Sequence, residues 1–299
     1  MNFRQLTYFQ LLAHNEHLIK TANQIMVTPS SISTSISNLE EELGVQLFDR
    51  FGRNMKLNDY GRTFLQQVDT ILQAQRNAVT ELADLKKTGE MQVSFGMKHP
   101  LFWSNLICAF AKEHPGIRLI QRDVEVEMQK NELRRLDVDF LITAIDIESN
   151  DWHADVIMAD EIVLVVPSNH SLAGRKLVRL EELKDEPFIG CAEGVSFRAL
   201  LDRICSKAGF SPNYVRECDP TLIPDICSHE TAVTLSTWHT CQSGLFKNSV
   251  IIRLEDESCR NRPLYIYHHK DRYLTDAAKA FCAHTLSYYE GKEIEKILG

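Results

Sequence analysis

From Thr21 to Leu43 the apolar residues Ala22, Ile25, Ile32, Ile36, Leu39 and Leu43 recur at helical spacing on two short segments. Between the segments lies Val27-Thr28-Pro29, in which Thr28 suits an N-cap and Pro29 the first helical turn. Two short helices joined by so tight a corner predict a helix-turn-helix, whose second helix enters the major groove of DNA. On that second helix Ile32, Ile36, Leu39 and Leu43 form one narrow stripe. The opposite side carries Ser30, Thr34, Ser37 and Asn38, with Ser31 flanking. Hydroxyls reach phosphates, and a carboxamide pairs with adenine in the major groove. Serine is a mediocre helix former, so seven Ser/Thr between Thr28 and Asn38 are costly for a merely solvated face. The pattern favours a DNA-contact surface made of Thr28, Ser30, Ser31, Thr34 and Asn38 over an ordinary amphipathic helix.

After Gly44 the residues Val45, Leu47 and Phe48 predict a short hairpin with Gly52 in its turn. Arg50, Arg53 and Lys56 then project from this wing toward phosphates or the minor groove. From Asn58, a suitable N-cap, a helical pattern without proline runs to Lys87. Phe64, Val68, Ile71, Gln75, Ala78, Leu82 and Leu85 alternate at spacings of four and three, a heptad seam broken only by Gln75. One helix cannot bury such a seam, so it predicts dimerisation through Phe64, Val68, Ile71, Ala78, Leu82 and Leu85; the alternative is a core helix of its own domain. Thr88-Gly89-Glu90 ends the helix and marks a domain boundary.

The remainder alternates strands and helices, which implies largely parallel sheets. Strands are expected at Met91–Gly96, Ile117–Ile120, Phe140–Thr143, Ile162–Pro167, Phe188–Gly190, Ala232–Leu235 and Leu264–Tyr267. Helices are expected from Trp103 to Glu113, around Met128 to Leu136, from Phe197 to Ala208, and after the final strand.

At this point the chain resembles the LysR-type transcriptional regulators. The matching residues are Asn2-Phe3-Arg4-Gln5-Leu6 with Phe9, Thr21-Ala22, Leu39-Glu40-Glu41-Glu42-Leu43-Gly44, Leu47-Phe48-Asp49-Arg50 and Leu57-Asn58-Asp59-Tyr60-Gly61. The similarity is highly specific over residues 1–65 and weaker but continuous to about residue 285. It implies a winged helix-turn-helix domain at 1–58, a dimerising linker helix at 59–88, and an α/β effector domain at 89–299. That domain resembles the two-lobed periplasmic solute-binding proteins, with lobe one at 90–163 and 267–299 and lobe two at 164–266. The implied partners are double-stranded promoter DNA bearing an interrupted palindrome, a small-molecule effector in the interlobe cleft, and further copies of the chain in a homodimer or homotetramer. No cofactor is implied.

Open α/β sheets bind ligands beyond the carboxyl ends of their strands, where helix N-termini present N–H groups to anions. Lys98 and His99 follow the first such strand, Thr143 ends another, and Ser196-Phe197 opens a helix in lobe two. Lys98 and Ser196 suit a small carboxylate, with Trp103 or Phe197 as an apolar wall. The chain departs from the family pattern in three places. Thr34 stands where a basic residue is common, the loop after Gly96 is about three residues shorter, and Ser228-His229-Glu230-Thr231 replaces a glycine-rich turn. The last two changes fall at the implied cleft.

Charge alters the picture in one respect. The whole chain carries a formal charge of −8, yet residues 1–88 hold nine Lys/Arg and nine Asp/Glu. Non-specific DNA affinity comes mainly from phosphate neutralisation, so an uncharged module depends on a few wing contacts and on multivalency. No stretch approaches the roughly 18–20 apolar residues of a membrane span, and the N-terminus lacks an export signal, so a cytoplasmic setting without membrane contact is expected.

The eight cysteines form no C-x-x-C pair, and a cytosolic thiol is usually a small buried hydrophobe. The family includes a peroxide-sensing branch with two cysteines nine positions apart. Aligned through Ala208-Gly209, the second falls on Cys205 and the first on Ser196, so the nucleophilic thiol is missing. Cys218 and Cys227 share that spacing at a different place in the fold. Cys227-x-His229 and His239-x-Cys241 supply zinc-type ligands, but a strand between them separates the pairs by roughly 13 Å. Redox or metal sensing through these residues is the alternative to an organic effector. An enzyme ranks lower, because the chain has no G-x-S-x-G, Walker A, H-E-x-x-H or dinucleotide fingerprint. A solute receptor would leave residues 1–88 unexplained.

Overall fold

The computed structural model describes residues 1–51, 54–86, 91–124 and 138–292, and of Arg50, Phe51 and Asn54 the backbone alone. The expected wing turn at Gly52, Arg53, the boundary Thr88–Glu90 and the helix around Met128–Leu136 lie outside the described residues. The chain divides into two units, one of Met1–Gly89 with Met128–Asp137 and His269–Thr275, the other of Glu90–Glu127, Val138–His268 and Asp276–Gly299.

In the first unit, α1 (Phe3–Asn15) starts from a capping box in which Asn2 and Gln5 each accept the other's backbone N–H. Helices α2 (Leu18–Gln24) and α3 (Pro29–Leu43) form the expected corner. Thr28 caps α3 by accepting the Ser31 N–H, and Gly44 ends it at φ 71°, a left-handed conformation that costs glycine little. Ile32, Ile36 and Leu39 are fully buried with Phe9, Leu12 and Ala22. Strands β1 (Phe48–Phe51) and β2 (Asn54–Leu57) pair antiparallel, with Asp49 opposite Lys56. The buried Glu40 side chain accepts the backbone N–H groups of Leu47 (2.7 Å) and Phe48 (3.3 Å), which fastens the wing to α3.

Helix α4 (Asp59–Leu85) is capped by Asn58, which accepts the Gly61 N–H. Its N-terminal half belongs to this core: Val68 is fully buried, Leu72 is buried beside it, and Phe64 packs on Phe9 at 5.1 Å between ring centroids. Val68 therefore drops out of the predicted dimer seam, and Phe64 is shared with the core, because the helix-turn-helix needs a lid over its own apolar face. Ile71, Ala78, Leu82 and Leu85 remain exposed. The segment His269–Thr275, expected in lobe one, clusters with this unit; Tyr273 donates its N–H to Asn77 Oδ1 and its hydroxyl to Asp84 Oδ2.

The second unit has two lobes. The first contains β3 (Gln92–Met97), α5 (Ser104–Glu113), β4 (Arg118–Asp123), β5 (Phe140–Thr143) and β6 (Trp152–Asp160). The chain then crosses to β7 (Ile162–Pro167), β8 (Leu177–Val178), β9 (Pro187–Cys191), α6 (Ser196–Lys207), β10 (Asn213–Cys218), α7 (Ile223–Cys227), β11 (Thr234–Thr237), α8 (Trp238–Cys241) and β12 (Ser249–Leu254). It returns through β13 (Arg262–His269) to α9 (Asp276–Tyr288). The crossings thus fall at Glu161 and just before Arg262, earlier than the expected lobe limits of 163 and 267.

The strand orders are β4-β3-β5-β13-β6, β11-β7-β12-β8 and β10-β9. Strand β3 runs parallel to β4 and β5, but β13 runs antiparallel to β5, and β7 antiparallel to both β11 and β12. The sheets are mixed rather than largely parallel, since a strand that arrives from the other lobe enters in the reverse sense. Phe95, Phe110, Phe140 and Phe281 fill the first lobe, with Phe95 stacked on Phe281 at 4.8 Å. All six residues of β7 are buried, and Ile162, Leu164 and Val166 join Leu180, Leu183, Phe188, Ile204 and Ile252 in the second lobe's core.

A Cβ placed on Gly61 would sit 2.2 Å from the Leu47 carbonyl oxygen, which lies where α4 leaves the wing. Gly61→Ala is expected to destabilise the first unit by about 1–3 kcal/mol through overpacking against backbone. Urea unfolding followed by circular dichroism checks this.

Candidate functional site

Two surfaces carry candidate chemistry, one in each unit. On α3 the residues opposite the buried stripe, Ser30, Ser31, Thr34, Ser37 and Asn38, are all exposed. The Thr28 hydroxyl lies 2.9 Å from that of Ser30 and 2.7 Å from that of Ser31, so three hydroxyls gather at the helix N-terminus. This end of a helix favours phosphate oxygens. Lys56 on β2 is exposed; Arg53 and the side chain of Arg50 lie outside the described residues.

The second unit holds a cavity of about 590 Å³ between its lobes. It opens beyond the carboxyl ends of β3, β5, β9, β10 and β11, the position that open α/β sheets favour for ligands. Lys98, His99, Trp103, Thr143, Ser196 and Phe197, all six residues expected from the sequence, line it. His99 stands at φ 51°, in the shortened loop that leads into the turn Pro100–Trp103. Val195 provides no side-chain cap for α6, so the first-turn N–H groups beside Ser196 gain no side-chain partner from that position. Lys98 Nζ lies 3.5 Å from Asp123, and Thr221 hydrogen bonds hold the Asp219 carboxyl below its usual range.

The sequence did not place the deepest polar groups at the cavity, and it offered His239 only as a metal ligand. Asp160, at the end of β6, is fully buried; its Oδ1 accepts the N–H groups of Glu161 (3.0 Å) and His239 (2.9 Å). Its Oδ2 lies 3.9 Å from Arg262 Nη1, and the Thr237 side chain also hydrogen-bonds the carboxyl. Burial pushes the Asp160 carboxyl up to about 6 and lowers the Arg262 guanidinium from its ordinary value. Arg262 also stands 5.6 Å from the centre of the Phe197 ring. Next along the chain, Glu161 grips Arg253 through two bonds of 2.8 and 3.0 Å. His239 packs on Trp103 at 4.0 Å, pairs through Nε2 with the Tyr289 hydroxyl at 3.0 Å, and is pushed down to about 3 by burial. One signal for Asp160 was available: an acidic pair placed directly before the buried run Ile162–Pro167. Arg262 had none, because Arg253, Arg260 and Arg262 look alike until the sheet order is known.

Cysteine chemistry fares differently from the alternatives weighed above. Cys191 and Cys218 are register partners on adjacent strands, and both line the cavity. Burial raises Cys191 to about 11 and also raises Cys218, which suppresses the reactive thiolate. Cys205 is fully buried and raised to about 12. Cys227 is buried whereas His229 is exposed, so that pair does not converge. His239 is engaged by Tyr289, and Cys241 is buried.

Comparison with known proteins covers both units. Residues 3–62 match the family described as bacterial regulatory helix-turn-helix protein, lysR family, and residues 89–289 match the LysR substrate binding domain. The transcriptional dual regulator GltC of Bacillus subtilis (strain 168) is 30% identical over 298 residues, covering 98% of this chain and 99% of the relative. An HTH-type regulator of the same organism, YybE, is 33% identical over 220 residues, 73% of this chain and 75% of its own. Among solved structures, a full-length OxyR variant from Pseudomonas aeruginosa superposes with a TM-score of 0.69 at 18% identity, covering 97% of this chain and 95% of that one. Full-length CbnR in complex with its target DNA gives 0.53 at 20% identity, with 95% and 98% covered.

The two buried titrating groups of the cavity act in opposite directions on stability. The folded pKa of His239 is depressed, so its contribution is present above about pH 6.5 and is lost as pH falls toward about 3. Asp160 is raised, so its contribution is present below its unfolded value and is lost as pH rises through about 6. Lowering the pH from 7 to 5 should cost about 2 kcal/mol through His239 and return about 1 kcal/mol through Asp160. His239→Gln should remove the first effect, so from these two groups the variant gains about 1 kcal/mol between these pH values where the parent loses about 1 kcal/mol. Parallel denaturant titrations at the two pH values read that difference.

Proposed function

Because the chain belongs to the LysR family of transcriptional regulators, we propose that its contact with promoter DNA runs through the exposed face of α3 and the wing. The observation that carries this is the division of α3 into a fully buried aliphatic stripe and an exposed face of Ser30, Ser31, Thr34, Ser37 and Asn38. Asn38 suits an adenine edge in the major groove, and the hydroxyls around Thr28 suit phosphates. Lys56, with Arg50 and Arg53 of the wing, supplies positive charge to a unit that otherwise has none in excess.

Dimerisation through the row Ile71, Ala78, Leu82 and Leu85 is supported by a 27-residue helix on which these four residues stay exposed among the described residues. Pairing two such helices brings two recognition helices to two half-sites and multiplies a weak single contact. The setting is the cytoplasm, where promoter DNA is found, and the chain acts as a regulator rather than an enzyme. Among the described residues no helix is long and apolar enough to cross a membrane.

The interlobe cavity takes the effector, a small molecule bearing a carboxylate. Arg262, Ser196 and the first turn of α6 support that chemistry. Control is a population shift: the ligand binds one lobe arrangement better and thereby biases the whole assembly.

Full-length protein titrated onto a labelled fragment of its own upstream DNA should bind with a steep salt dependence. Lys56→Ala should weaken binding to all sequences alike and reduce the salt slope by about 1. Fluorescence anisotropy at several salt concentrations measures both, and an unchanged slope would remove the wing from the contact surface.

A further inference from the structure

Resting on the DNA-contact reading of α3, we propose that this helix reads a thymine–adenine step. The Thr34 methyl packs on a thymine methyl, Asn38 pairs with the edge of a neighbouring adenine, and no side chain of α3 reads guanine. The first argument is the division of labour among the exposed polar groups. Thr28 Oγ1 accepts the Ser31 N–H at 3.2 Å and lies 2.9 Å from the Ser30 hydroxyl and 2.7 Å from that of Ser31. These three side chains are tied to the cap and to one another at the helix N-terminus, where phosphate oxygens are favoured. Phosphate contacts fix orientation and carry no sequence information. At the other end Glu41 and Glu42 are exposed in the last turn, and their charge keeps that turn away from the phosphate backbone. Thr34, Ser37 and Asn38 lie between these limits on the exposed face.

The second argument is the chemistry of those that remain. No lysine, arginine or histidine stands between Lys20 and Arg50. Guanine is read in the major groove chiefly by Arg or Lys held bidentate to O6 and N7, and α3 has neither. A carboxamide instead matches adenine N6 and N7 in a bidentate pair, and a threonine methyl matches the C5 methyl of thymine. Thr34 and Asn38 share one face of α3, one turn apart and about 6 Å along its axis, which sets them over neighbouring base pairs. Ser37 hydrogen-bonds more than one base and so adds little discrimination. The opposite stripe, Ile32, Ile36 and Leu39, is fully buried, so the core fixes the direction in which both readers point.

The test uses the full-length protein and its own upstream DNA, with the bound site located by footprinting and its consensus by selection from random DNA. The selected half-sites should hold a thymine–adenine step, and methylation of guanine N7 inside them should leave binding intact. Replacing the thymine by deoxyuridine, which lacks only the methyl, should weaken the parent about fourfold. Thr34→Ser keeps the hydroxyl and should lose that sensitivity. Replacing the adenine by 7-deazaadenine should weaken the parent about fivefold or more, and Asn38→Ala should be indifferent to it. Thr34→Arg should bring guanine into the selected site. The proposal is overturned by a half-site guanine whose methylation abolishes binding, by a parent that ignores either modified base, or by a Thr34→Ser variant with full sensitivity to deoxyuridine. The modified-DNA comparison on the parent protein decides the matter even if a variant fails to fold. Binding that needs guanine yet falls in Asn38→Ala would sink the thymine–adenine readout while sparing α3 as the contact surface. Variants of Thr34 and Asn38 that bind as the parent does would sink both.

Discussion

A buried carboxylate at the point where the chain passes between lobes is the constraint on which the second unit depends. Asp160 ends β6, from which the chain leaves the first lobe, and its Oδ1 captures the N–H of Glu161 at the crossing and of His239 in the second lobe. Glu161 holds Arg253 of β12, and Arg262 begins the returning strand beside Asp160. Both crossings are thereby tied to one small set of charges. Removing such groups from water is expensive, so their retention where aliphatic residues would pack more cheaply argues for a task beyond stability. The cavity lies against this set, which makes the connection between the lobes and the ligand site a single structure.

The first unit rests on a comparable device of smaller scale. Glu40 faces inward from α3 and accepts two N–H groups at the start of the wing, so the recognition helix and the hairpin share one buried anchor. The exposed face of α3 is consequently presented on a rigid support. A contact surface poor in net charge relies on such positioning, because hydroxyl and carboxamide groups discriminate only when held at defined distances.

Much of the first unit was legible in the sequence because its signals are local. Thr28-Pro29, Gly44 and Asn58 mark helix ends within a few residues of where they act, and the Ile32–Ile36–Leu39 stripe has one sensible burial. The heptad seam was only half legible: Val68 fits the repeat, yet burial in the same chain claims it first. In the second unit the six cavity residues at strand ends and helix starts could be named, since that rule depends on element order alone. Asp160, His239 and Arg262 could not, because they meet only after β13 inserts between β5 and β6 and α8 reaches the crossing. The mixed strand directions escaped for the same reason, as did Trp152–Asp160 and Asn213–Cys218, whose largely polar outer positions hide the strand period.

The central claim is that occupancy of the interlobe cavity governs how the protein sits on DNA. A nuclease footprint of the full-length protein on its own upstream DNA tests this directly, made with and without the small-molecule fraction of a cell extract from the source organism. The account predicts a footprint that changes in extent or strength when that fraction is added, and a smaller change for Ser196→Trp, whose indole obstructs the cavity at the start of α6. A footprint indifferent to the fraction, or one that changes equally in the obstructed variant, would contradict it.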